Sequence, residues 1–410
     1  MGQTIVEKII SHHCGRNVYQ NDLVVAEVDA AMASDTTAPL AIQAFQSMGG
    51  KAVWDPKRCF LIIDHAAPAP NERIANLHLM MRQFAREQQC TLYEAGTGIC
   101  HQVMIEKNIV RPGQIIAGAD SHSTCYGAVG ALGTGVGSTD LAAVLLTGKM
   151  WLKVPETIKI EIQGRISGGI QSKDLMLNVL RKIGIAGATY QSMEFSGTAI
   201  SHLSLASRIT MANMMIEACA KTGFVHPDGL ELPYAFTPII PDADAVYQRV
   251  ISFDATTIQP MIGQPHSPDS VVPVMNLEGQ KVHYAFIGTC VNGRLEDLHI
   301  AARILKGARI HPDTRLIIGP ASRQVFLDGV KDGTVRILTE AGATFIPPGC
   351  GPCVGTHSGV PGNGEVVISA GNRNFKGRMG NPTADIYLAS PATVAASALE
   401  GKITNPLNYF

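Results

Sequence analysis

The sequence predicts a multi-domain α/β protein built on parallel sheets that helices cover on both sides, and three observations lead to it. Short apolar runs alternate with helical patterns along most of the chain, the order that builds strand–helix–strand units. The 410 residues exceed what one hydrophobic core usually spans, so two or three domains are expected. Hydrophobic residues make up 46%, ample for cores, and charged residues only 16%. The first figure excludes global disorder. The second lies below the roughly 25% of ordinary soluble domains, which implies that other domains or a partner chain cover much of the surface.

The elements follow in chain order. Cys59-Phe60-Leu61-Ile62-Ile63 reads as a buried strand ending at Asp64-His65. Residues 71–89 read as a helix, with Ile74, Leu77, Met81 and Phe84 on its apolar face. Residues 114–119 form a second apolar strand that ends at Asp120-Ser121-His122, and a glycine-rich stretch over 127–137 leads into a helical run over 141–152. Residues 157–162 alternate with period two behind Pro155, as a half-exposed strand does, and mark the first boundary. The three expected domains therefore cover 1–154, 155–262 and 263–410. A helix is expected over 206–222, with Asn213 and Glu217 on one face, and the proline-rich stretch 259–274 reads as a linker. Beyond it come a strand at 282–287, a helix at 295–305, a strand at 315–318, a helix at 323–340 and a strand at 344–346.

Composition narrows the function classes. A net charge of −1 argues against a nucleic-acid binder, which normally carries a basic excess. No run approaches the ~18 apolar residues of a membrane span. The first residues lack the basic-then-apolar layout of a secretory signal, so a cytoplasmic protein is expected. Nine cysteines at scattered spacings are not a disulfide framework. In a reducing compartment, clustered cysteines are metal ligands more often than bridges.

Ligands of open α/β sheets sit beyond the carboxyl ends of the strands, and Asp64-His65, Asp120-Ser121-His122, Cys290 and Cys350 each follow a predicted strand. Pro347-Pro348-Gly349-Cys350-Gly351-Pro352-Cys353 is the most informative string. Its glycines and prolines make a rigid loop that aims two sulfurs. Alone, such a pair fits cluster ligation, half a zinc site, a redox dithiol or a structural role. Gly288-Thr289-Cys290-Val291-Asn292-Gly293-Arg294 adds a third sulfur at a strand end. Three thiolates on a four-iron cluster leave one iron without a protein ligand, the open position that Lewis-acid catalysis needs. The commoner fate of a free cysteine, a small buried hydrophobe, stays open for Cys290.

Asp64-His65 and Asp120-Ser121-His122 set carboxylates beside imidazoles, and Cys100-His101 adds a third histidine in a glycine-flanked turn. A carboxylate partner fixes the imidazole tautomer and raises its pKa, suiting it to proton transfer. Met193-Glu194-Phe195 places a carboxylate between bulky apolar residues, where burial makes it a candidate acid. Arg373 and Arg378 lie in the glycine-rich loop 371–378, and guanidinium forks bind carboxylates bidentately. Taken singly, each of these also fits a satisfied structural histidine or a solvated loop.

Together the strings resemble the aconitase and isopropylmalate isomerase family of iron–sulfur hydro-lyases, in family order over nearly the whole chain. The resemblance implies an aconitase-like fold of three α/β/α domains around a central cleft. It implies one four-iron, four-sulfur cluster per subunit, held by Cys290, Cys350 and Cys353. It further implies that Asp64-His65 and His101 with Asp120 serve the leaving hydroxyl, with Ser121 and His122 close to substrate and Glu194 as the acid at the iron-bound water. Arg373 and Arg378 would bind substrate carboxylates, and Asn292 and Asn372 would be amides beside the cluster. The chain stops at Phe410, soon after the arginine loop, which resembles the large subunits of isopropylmalate dehydratase or homoaconitase. A small partner subunit would then supply the swivelling fourth domain. The implied reaction is dehydration and rehydration of a hydroxy-di- or tricarboxylate in leucine biosynthesis. Homoaconitate, maleate, citraconate and dimethylmalate are alternative substrates, and an RNA-binding iron sensor is the non-enzymatic one.

Overall fold

The computed structural model describes residues 2–410. Its first sheet holds five parallel strands: β1 (Ala30–Ser34), β2 (Cys59–Ile62), β3 (Thr91–Tyr93), β4 (Ile115–Gly118) and β5 (Leu132–Gly135), in the order β3-β2-β1-β4-β5. Successive side chains of a strand point to opposite faces, and here both faces are buried. Met32, Phe60, Ile62 and Ile116 enter one core, while Ala31, Ala33, Leu61, Ile115 and Ala117 enter another on the far side. That is why these segments read as continuous apolar runs rather than alternating ones.

The second sheet holds β6 (Thr157–Gln163), β7 (Ser192–Ser196), β8 (Thr222–Val225) and β9 (Arg249–Asp254), all parallel in the order β8-β7-β6-β9. Ile158, Ile160 and Ile162 face the core, while Lys159 and Glu161 pair at 2.7 Å on the outer face. The third sheet has seven strands: β10 (Met261–Gly263), β11 (Val271–Pro273), β12 (Tyr284–Ile287), β13 (Arg315–Ile318), β14 (Thr344–Phe345), β15 (Val366–Ser369) and β16 (Asp385–Ala389). Its order is β11-β10-β16-β15-β12-β13-β14, parallel except at the edge formed by β10 and β11. No helix among the described residues is long and apolar enough to cross a membrane.

Several elements differ from the sequence expectation. The run over 141–152 is a helix, Ser138–Thr147, that ends where Gly148 takes a left-handed φ of 66°. Lys149–Lys153 then forms a strand antiparallel to Leu23–Glu27. The helix expected over 206–222 is Leu205–Met214, tightened into a 3₁₀ turn over Met215–Ala218, and Thr222 already begins β8. The span 323–340 is two helices, Arg323–Lys331 and Thr334–Glu340, parted at Gly333 with φ 86°. The supposed linker over 259–274 contains β10 and β11. A boundary between 262 and 263 would therefore cut β10, which belongs to the third sheet.

Candidate active site

Five strand ends converge. Beyond β1 comes Asp35, beyond β2 Asp64-His65, beyond β4 Asp120-Ser121-His122, beyond β12 Cys290, and beyond β15 Asn372-Arg373. Between them lies a cavity of about 270 Å³ lined by Cys290, Cys350 and Cys353, by His65, His101, Asp120, Ser121 and His122, and by Asn372, Arg373 and Arg378. Thr36 and Thr289 complete the polar wall. The loop carrying Cys350 is locked to the first sheet, because Cys350 N donates to Asp64 O at 2.9 Å. Gly349 permits this approach: a Cβ there would stand 2.8 Å from Asp64 O. Thr289 holds Cys290 with a left-handed φ of 73°, an outlier for a β-branched residue. Strain of this kind persists where the surroundings over-determine it.

The histidines and carboxylates form one chain. His65 Nδ1 lies 2.8 Å from Asp64 Oδ1, and its Nε2 lies 3.3 Å from Asp120 Oδ2. His101 Nε2 reaches Asp120 Oδ1 at 2.8 Å, and the His122 backbone N donates to the same oxygen at 2.8 Å. Asp64 Oδ2 accepts from Cys100 N at 2.7 Å, so the chain is anchored in backbone. Burial opposes ionisation of Asp120, but His101, His122 and His65 outweigh it and hold its carboxyl well below the usual range. Burial likewise opposes protonation of His65, yet the Cys350 sulfur and Asp64 leave its pKa well above the ordinary value.

Three sulfurs face the same space with no disulfide among them. Side-chain ligand atoms of Asp64, His65 and Cys350 lie within 4.8 Å of one another, so the sulfur wall adjoins the proton chain. Asn372 approaches Cys290 Sγ at 3.8 Å, and Arg378 Nη2 approaches Cys353 Sγ at 3.7 Å. Asn213 Nδ2 and Arg378 Nε are buried without a partner among the described residues. Three convergent thiols ringed by N–H groups with spare donor capacity fit a metal–sulfur group, whose sulfurs accept such bonds. The other six cysteines line none of this cavity.

Two expected residues lie elsewhere. Glu194 is buried in β7, where its carboxylate accepts from Ile5 N at 2.7 Å and Tyr247 Oη at 2.9 Å. It caps the N-terminal helix Ile5–Cys14 and does not reach the cavity. Its apolar neighbours Met193 and Phe195 point into the core on the opposite face of the strand, as period two demands. Asn292 turns away as well, donating to Asp297 Oδ1 at 2.9 Å.

Glu217 and Asn213 instead stand behind the cavity wall, bonded to residues that line it. Glu217 accepts from Arg373 Nε at 2.9 Å and lies 3.0 Å from His122 Nε2, while Asn213 is bonded to Asn372. Burial alone would raise the Glu217 pKa, but His122 and Arg373 lower it. Arg373 Nη2 also donates to Ser121 Oγ at 3.1 Å. The signal for both residues was their spacing of four, which puts them on one helical face. Asp35 gave no signal, since the alanine-rich β1 before it has weak strand character; yet it accepts from the backbone N of Asp64, His65 and Ala66 at 3.0, 2.7 and 2.8 Å.

Comparison with known proteins agrees with this geometry. The aconitase family (aconitate hydratase) matches residues 7–281 and 273–401. The chain is 48% identical to a 3-isopropylmalate dehydratase large subunit of Thermotoga maritima and 46% identical to one of Methanopyrus kandleri, each over the whole of both chains. It is 50% identical to a probable methanogen homoaconitase large subunit of Methanosarcina mazei, over 93% of this chain and 99% of that one. Among solved structures, the holo-form of Thermococcus kodakaraensis aconitase X superposes with a TM-score of 0.51 at 13% identity, covering 85% of this chain and 84% of that one, a likeness of fold. With the family matched along nearly its full length and the strand-end residues gathered in one cleft, this chain belongs to the aconitase family and is a hydro-lyase.

Proposed function

We propose that this chain is the large catalytic subunit of a cytoplasmic 3-isopropylmalate dehydratase of leucine biosynthesis, working with a small subunit that carries the rest of the active site. The observation that carries the reading is the meeting, in one cavity, of Cys290, Cys350 and Cys353 with the His–Asp chain and Arg373 and Arg378. The full-length relatives named as large subunits support both the substrate class and the partner.

The three cysteines would hold a four-iron, four-sulfur cluster, which when bound supplies a Lewis-acidic iron for the hydroxyl that leaves. The remaining chemistry belongs to side chains. His101, held by Asp120, would deliver a proton to the departing hydroxyl, and His65 with Asp64 would replenish it. Glu217 orients His122 and Arg373 at the far end of the cavity. Arg373 gives up part of its contact with Glu217 and Ser121 to hold a substrate carboxylate, and Arg378 extends the cationic wall. Removing a carbon-bound proton beside a carboxylate builds dianionic charge, which these guanidinium groups stabilise in a water-poor cleft. The base for that proton is assigned to the partner.

A second reading, homoaconitase large subunit, is favoured by the 50% identity to the methanogen protein. One experiment separates the two: reconstitute the chain anaerobically with its small subunit and follow alkene absorbance on 3-isopropylmalate and on homocitrate. Preference for 3-isopropylmalate is expected. Turnover of homocitrate alone favours the second reading, and turnover of neither defeats both.

A further inference from the structure

Lys173 is fully buried in the first turn of the helix Ser172–Ile183. That end of a helix repels cations, because the peptide dipoles already place positive charge there. Among the described residues its ammonium forms no ion pair; it donates instead to two backbone carbonyls of the third sheet's domain, Gly371 O and, at 3.3 Å, Ala370 O. A buried ammonium with no ion-pair partner is costly even with the Glu217, Asp297 and Asp174 carboxyls acting on it, so its persistence here calls for a role.

The neighbouring Asp174 turns the other way. It accepts from Gln171 N at 2.9 Å at the start of its own helix and from Met261 N of β10 at 2.9 Å. Asp174 thus docks the helix on the third sheet, and Lys173 reaches past it to the loop that follows β15. Both carbonyls lie immediately before Asn372-Arg373. Further along the loop, Asn374 Nδ2 donates to Gln264 O at 2.6 Å and Ile386 O at 3.2 Å. Between the strand and that anchor stands Gly371, whose N–H donates to Ser369 Oγ at 3.0 Å and whose lack of a side chain leaves its carbonyl free to turn.

We propose that Lys173 is a positioning residue: its ammonium fixes the peptides around Gly371 and so aims Arg373 and Asn372 into the cavity. The inference rests on the reading of Arg373 as a carboxylate-binding residue. A charged donor makes hydrogen bonds roughly twice as strong as a neutral one. Its removal leaves two buried carbonyls without a partner, which the glycine-flanked loop relieves by rotating. Arg373 then approaches a carboxylate from the wrong direction, and binding suffers before chemistry does.

The test uses the two-subunit holoenzyme with Lys173→Met, which keeps the length without the donors, and Lys173→Gln, which keeps two. KM for the hydroxy-dicarboxylate should rise about tenfold or more in the Met variant and less in the Gln variant, the scale of one lost bond to a charged group. The kcat should fall less than about threefold, with iron and sulfide content as in the unaltered enzyme. An unchanged KM, whatever happens to kcat, overturns the proposal. So does failure of both variants to fold, which would make Lys173 a stability residue. If the unaltered complex turns over neither hydroxy acid, the functional reading fails rather than this one. Calorimetry with malonate then replaces KM: a Kd about tenfold weaker in Lys173→Met is expected, and an equal Kd overturns the inference.

Discussion

Glu217 and Glu194 are both buried carboxylates, and their neighbours separate them. Glu217 meets His122 and Arg373, which outweigh burial and keep it ionised. Glu217→Gln should therefore lower kcat/KM about a hundredfold with the iron content unchanged, as measured by steady-state kinetics beside iron analysis. Glu194 meets a backbone N–H and a tyrosine, with Glu7 close by, and burial pushes it up to about 7. Below the unfolded value of 4.5 both states hold its proton; as pH rises from there to about 7 the unfolded chain releases it first, so stability falls across that window. The cost above about 7 is on the order of 3 kcal/mol. Glu194→Gln removes the titration, so its melting temperature relative to the unaltered protein should improve between about pH 5 and about pH 8. A constant difference would show that the carboxyl does not titrate there. Arg373→Lys should lose on the order of 1.5–3 kcal/mol in kcat/KM, because an ammonium cannot reproduce the guanidinium fork.

Among the elements, those with both faces buried were the most legible. Residues 59–63 and 114–119 read as strands from uninterrupted apolar runs, and their ends carry Asp64-His65 and Asp120-Ser121-His122. Legibility failed where one pattern serves two structures. Leu141 to Leu152 is apolar across a helix and a strand, and only Gly148 divides them. The strand Ala30–Ser34 has no β-branched residue, so neither it nor Asp35 stood out. Glu194 was misplaced for a related reason: a carboxylate between two apolar residues of a strand points away from both, and the face it meets is set by tertiary packing. Asp35 now explains how β1 and β2 present Asp64-His65, since its carboxylate gathers three consecutive N–H groups and His78 Nε2 at 3.1 Å. Asp35→Asn should cost on the order of 3 kcal/mol in urea unfolding. A midpoint unchanged from the unaltered protein would contradict that anchoring role.

At the scale of the molecule, five strand ends of the first and third sheets meet at one cleft, and each of the two sheets supplies what the other lacks. The first brings the histidines and aspartates and the third the sulfurs and arginines, while the helix after β7 brings Asn213 and Glu217. This convergence was not readable from local pattern; the motif order indicated it, and the geometry gathers those residues around one cavity. With the base assigned to a small subunit, the reconstituted chain alone should show less than about a hundredth of the turnover of the complex, a gap that alkene absorbance measures directly. All of this depends on the three sulfurs acting as one ligand set, and iron and sulfide per chain, measured after anaerobic reconstitution, test that claim most directly. The unaltered chain should bind about four of each, and Cys290→Ser, Cys350→Ser and Cys353→Ser should each lose the intact cluster; full iron and sulfide in any one of the three would contradict it.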